Sequence, residues 1–68
     1  MIGYCVEYII WYMEQSQWKS KTEYFLCLSL EQAQREAQVL NWNEAVEEGS
    51  VYIRLMTDKE YKAVSLIV

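Results

Sequence analysis

Tyr4-Cys5-Val6-Glu7-Tyr8-Ile9-Ile10-Trp11-Tyr12 is the stretch on which the fold turns. It is built from β-branched and aromatic residues, the types that fit a pleated, half-buried surface, so the chain is predicted to open with a strand over 4–13. Successive side chains of a strand point to opposite faces. Tyr4, Val6, Tyr8, Ile10 and Tyr12 share one face, and Cys5, Glu7, Ile9, Trp11 and Met13 share the other. A strand covered on one side only should alternate apolar with polar. Here both faces are largely apolar, and both ask for cover.

Working outward, residues 14–21 are polar and are expected to form a loop or long hairpin turn. Residues 22–28, Thr-Glu-Tyr-Phe-Leu-Cys-Leu, read as a second strand, antiparallel to the first because the connection is short. Ser29 followed by Gln32 has the form of a capping box. Leu30, Ala33, Ala37 and Leu40 then recur at spacings of three and four, one face of a helix. Ala33 and Ala37 are small enough for that helix to lie close to a sheet. The stripe breaks near Asn41, since Val39, Trp42 and Val46 fall on the opposite side. A kink or a second short turn is expected there, with Asn43 as its cap and Gly49 at its end. Val51 to Met56 alternate again, Thr57 to Glu60 read as a tight polar connection, and 61–67 as a final strand.

The expected fold is therefore a single α+β domain over 1–68: a two-layer, four-stranded antiparallel sheet with one main helix on one face, in the order ββαββ. Val51, Ile53 and Leu55 are the clearest core set, joined by Tyr24, Leu26, Leu28, Val64 and Leu66. Glu7, Trp11, Phe25, Tyr52, Arg54, Met56 and Tyr61 are left for the other face. This division depends on register, because a slip of one residue exchanges the faces.

Composition narrows the function. The chain has 68 residues, and a domain near that size buries only about 60% of the surface its unfolded chain exposes. Two cysteines, Cys5 and Cys27, are too few for a disulfide framework and read as small hydrophobes. Self-association is the remaining common way to stabilise so small a fold, so a homodimer is expected. The net charge of −4, from ten acidic and six basic residues, argues against nucleic acid, whose binders need a basic footprint. There is no histidine, and two glycines cannot make a phosphate loop. Glu47 and Glu48 are sequence neighbours and read as a solvated acidic turn. No catalytic, cofactor or metal site is expected, and the chain is not expected to be an enzyme. No apolar run approaches the roughly 18 residues of a membrane span, and no basic region precedes the first strand, so a cytoplasmic protein is expected.

The aromatic residues carry the strongest functional signal. Tyr, Trp, Met and Arg are enriched at interface cores and hot spots. Trp11, Tyr52, Arg54, Met56 and Tyr61 supply that mixture on one expected face and are the expected partner-binding residues. Trp18 and Trp42 are expected to pack locally. The acidic segment with Glu44, Glu47 and Glu48 is the second candidate surface.

Residues 29–37 read Ser-Leu-Glu-Gln-Ala-Gln-Arg-Glu-Ala. They resemble the Ser-Leu-x-x-Ala-x-Arg-x-Ala helix start that follows a hairpin in small phage proteins, among them anti-CRISPR proteins of the type I systems. The resemblance implies a stoichiometric inhibitor that occupies a surface of a bacterial defence complex in the host cytoplasm. Some relatives cover a nucleic-acid channel with basic residues. This chain is acidic with scattered bases, so an aromatic or acidic protein-facing patch must take their place, and no functional residue carries over. The alternative is a small homodimeric structural or regulatory protein without an inhibitory role.

Overall fold

The turn between the first two strands sets the register of everything that follows. In the computed structural model, which describes residues 3–67 without the side chains of 65–67, β1 (Tyr4–Glu14) runs directly into β2 (Gln17–Cys27). Glu14 pairs with Gln17, leaving only Gln15 and Ser16 as the loop, at φ 51° and 63°. Two successive left-handed residues make a type I′ turn, whose twist matches that of the flanking strands. The loop expected over 14–21 is thus mostly strand. Its polarity belongs to an exposed ribbon, and the missing Asn-Gly or Gly-Gly signature hid the turn.

The two-residue turn places Val6 opposite Phe25 and Tyr4 opposite Cys27. Phe25 therefore shares the face of Val6, and Tyr24 and Leu26 take the other. This reverses the expected faces of the second strand: Phe25 is a core neighbour, while Tyr24 and Leu28 are exposed. Phe25 also meets the Tyr8 ring edge-on at 6.1 Å.

α1 (Leu30–Asn41) crosses this face. Ser29 caps it, its Oγ accepting the Gln32 N–H at 3.1 Å. Ala33 is wholly buried against Val6 and Cys27, and Tyr4, Phe25, Ala37, Leu40, Val51 and Ile53 pack around them. Burying a side chain such as Val6 stabilises the fold by about 1.5–3 kcal/mol.

After α1 the chain turns at Asn43, whose Oδ1 accepts the Ala45 N–H at 2.9 Å. It then lies along β1: Trp11 N–H donates to Ala45 O and Glu47 N–H to Ile9 O, both at 2.8 Å. β3 (Tyr52–Leu55) continues that edge, pairing antiparallel with Tyr4–Glu7 and giving the order β2-β1-β3. Leu55, expected in the core with Val51 and Ile53, is exposed at the end of this short strand.

The expected fourth strand is a helix, α2 (Asp58–Ile67), so among the described residues the sheet has three strands and the order is ββαβα. Thr57 Oγ1 accepts the Glu60 N–H at 3.2 Å, and Glu60 Oε1 accepts the Thr57 N–H at 2.8 Å. That reciprocal capping box starts a helix where a turn into a strand was expected. A short apolar run such as 61–67 does not by itself distinguish the two. Val64 is half-buried on α2, and the Leu66 side chain lies outside the described residues.

Candidate functional site

The face of the sheet turned away from α1 follows from strand parity. β1 contributes Cys5, Glu7, Ile9, Trp11 and Met13. β2 contributes Trp18, Ser20, Thr22, Tyr24 and Leu26, and β3 contributes Tyr52 and Arg54. Met13 pairs with Trp18, and Glu7 lies between Tyr24 on one side and Tyr52 on the other. Trp11, Met13, Trp18, Tyr24 and Tyr52 are all exposed, Trp18 most of all at 66%. Beneath them Cys5 is completely buried, while Ile9 and Leu26 are half-buried.

A polar network holds this face to α2. Arg54 donates from Nε to Glu7 Oε1 at 2.7 Å, and its two terminal nitrogens grip the two Glu60 oxygens at 2.8 Å each. Nη1 also reaches Leu55 O at 3.0 Å. Tyr52 donates its hydroxyl to the other Glu7 oxygen. The side chains are only partly exposed, Arg54 at 31% and Glu60 at 17%. The Arg54 guanidinium, helped by the Thr57 N–H, holds the Glu60 carboxyl down at about 2. The Tyr52 hydroxyl, and after it Arg54, hold Glu7 below the usual carboxylate range. The same bond to Glu7 pushes the Tyr52 phenol up.

The five residues expected to bind a partner are divided by this geometry. Trp11, Tyr52 and Arg54 share this face, which α2 meets at Arg54 and which is uncovered beyond it, but Arg54 is clamped between two carboxylates. Met56 and Tyr61 lie off the strands, half-buried, where they line a shallow pocket with Gly3, Leu55 and Asp58. Met56 packs against Gly3 so closely that a Cβ there would collide with it, and its N–H donates to Gly3 O at 2.9 Å. Trp18 and Tyr24 belong to the face and were missed, beside Met13, which the parity of β1 already sets with Trp11. The signal was the parity of β2, legible only once the turn is known to have two residues. Trp18 does not pack locally over a loop, and Trp42 is 74% exposed.

The acidic segment adjoins the aromatic face. Trp11 Nε1 donates to Glu47 Oε1 at 3.3 Å. Glu47 and Glu48 line a shallow groove with Glu7, Ile9, Thr22 and Tyr52. The surface is therefore apolar at its centre and acidic along one side.

Burial pushes both the Cys5 and Cys27 thiols up, which disfavours the reactive thiolate. Among the described residues no group of three or more Cys, Asp or Glu could hold a metal ion, and no helix is long and apolar enough to cross a membrane. No protein-family model matches the chain, and no curated protein or solved structure matches it either.

Proposed function

We propose that this is a non-catalytic protein-binding protein that docks its partner on the uncovered face of the sheet. One observation carries the proposal: Trp11, Met13, Trp18, Tyr24 and Tyr52 stand exposed on one side of a paired sheet. Large exposed apolar patches mark interaction sites, and these residue types dominate hot spots. Glu47 and Glu48 along one side give the partner its second requirement, a basic rim beside an apolar centre. Arg54 supports this surface through Glu7 and Glu60.

The resemblance of residues 29–37 to small phage proteins supports a narrower form, an anti-CRISPR-like inhibitor whose partner is a bacterial defence complex. Those residues cap and pack α1 and make no part of the contact. In the alternative reading the partner is a second copy and the role is structural or regulatory.

A photo-crosslinking amino acid at Met13 or Tyr52, with Gln38 on the exposed side of α1 as control, tests the proposal in the protein's own cells. The expected result is one discrete adduct with a different protein from both face positions and none from Gln38. Adducts of two copies alone favour the alternative. Absence of any adduct from the face overturns the docking proposal.

A further inference from the structure

The outer side of β2 meets no other strand among the described residues. Which of its backbone groups point outward follows from β1. Trp11 N–H donates to Ala45 O and Ile9 O accepts from Glu47 N–H, so the odd-numbered residues of β1 turn their backbone toward β3. The even-numbered residues turn theirs toward β2, where Tyr8 faces Glu23 and Ile10 faces Lys21. Bonded and non-bonded pairs alternate along an antiparallel ladder. Trp18, Ser20, Thr22, Tyr24 and Leu26 are therefore the residues of β2 whose N–H and C=O groups face outward. A row of this kind is a template for another strand.

We propose that this edge pairs antiparallel with the same edge of a second copy, about a twofold axis at Thr22. A twofold antiparallel pairing keeps like faces on the same side, so residues of like parity meet. With Thr22 opposite the partner's Thr22, Lys21 faces the partner's Glu23 and Glu23 faces the partner's Lys21. Opposite charges and Thr–Thr pairs directly across a ladder are stabilising, and like charges are not. Within one chain Lys21 Nζ already lies 2.9 Å from Glu23 Oε1. The pairing thus gathers an alternating quartet of charges around the axis. Sliding the partner by two residues in either direction sets Lys21 on Lys21 or Glu23 on Glu23. Edge lysines discourage indiscriminate pairing; here they oppose the neighbouring registers and fit one. On the uncovered face, the same register brings Trp18 onto the partner's Leu26. The helix-free tip of each hairpin then passes beside the end of the other that α1 covers. Both uncovered faces lie on one side of the resulting six-stranded sheet. This contact uses the edge, so it stands apart from the docking proposal above.

Charge reversal tests both the dimer and its register. In sedimentation equilibrium from micromolar to hundreds of micromolar, the unaltered chain is expected to dimerise. Lys21→Glu alone and Glu23→Lys alone are each expected to weaken that association at least tenfold, because each sets like charges across the axis. An equimolar mixture of the two is expected to recover it, since both cross-strand pairs are again opposite in sign. Thr22→Pro, which removes an outward N–H that its own hairpin does not use, is expected to abolish dimerisation. Loss of folding in Thr22→Pro, seen by circular dichroism, overturns the assignment of that N–H to the outer edge. A monomer of 8.1 kDa throughout the range, single reversals that dimerise unchanged, or a mixture that fails to recover would each overturn the pairing.

Discussion

Arg54 is the residue on which the second half of the chain is hung. It joins β3 to β1 through Glu7 and to α2 through Glu60, in the bidentate geometry that a guanidinium offers to a carboxylate. A residue tied this way is a poor donor to a partner, however well its type suits an interface. Its bonds make the fold acid-sensitive with a definite sign. Glu60 has its folded pKa depressed to about 2, from an ordinary carboxylate value near 4.3 in the unfolded chain. The stabilisation is therefore complete above the unfolded value and is lost as pH falls from about 4.5 toward 2. Glu7, also depressed, acts in the same direction. Urea midpoints measured between pH 7 and pH 2 are expected to fall across that window. Glu60→Gln is expected to start lower at pH 7 and to fall less. Equal slopes for the two proteins would show that the pairing contributes nothing to the acid limb.

At the scale of elements, the hairpin and the two helix N-caps show what local sequence can and cannot carry. Ser29 with Gln32 announced α1 correctly, because the side-chain cap and the apolar stripe agree. Thr57 with Glu60 has the same form and starts α2, but the β-branched and aromatic residues after it argued for a strand. The capping chemistry prevailed. The Gln15-Ser16 turn carried no such signal. Side chains other than Gly, Asn or Asp pay a steric penalty in the left-handed region, about 1–2 kcal/mol per residue. The two long paired strands on either side hold these residues there. Replacing Gln15-Ser16 by Asn-Gly should therefore raise stability by about 1 kcal/mol without changing the register. Denaturant titration reads the gain. A loss of stability would mean that the loop is not the two-residue type I′ turn.

At the scale of the molecule, the wholly buried residues that α1 covers gather at one end of a body measuring 43 × 22 × 16 Å, and the hairpin runs on beyond them. The two-sided apolar pattern of β1 was legible in the sequence, and so was the cover of one side by α1. Which residues of β2 joined each side was not, because a loop of unknown length leaves the parity of the second strand undetermined. Tyr24 and Phe25 decide that parity in the molecule itself. They are neighbours of similar size and type, so intrinsic strand preference barely separates them. Phe25 packs on the core cluster and meets the Tyr8 ring, whereas Tyr24 is 58% exposed on the other face. Phe25→Ala should cost about 3 kcal/mol through lost burial and the cavity left behind. Tyr24→Ala should stay within about 0.5 kcal/mol, as surface changes do. Urea unfolding of the two variants at one protein concentration gives the comparison. If the order of the two costs were inverted, β2 would be slipped by one residue, Tyr24 would be core, and Met13, Trp11 and Tyr52 would lose their neighbours on the uncovered face. With the order as stated, Tyr24→Ala leaves a folded sheet from which one exposed aromatic has been removed. Weaker binding of a different protein by that variant, at unchanged self-association, would then report the docking surface.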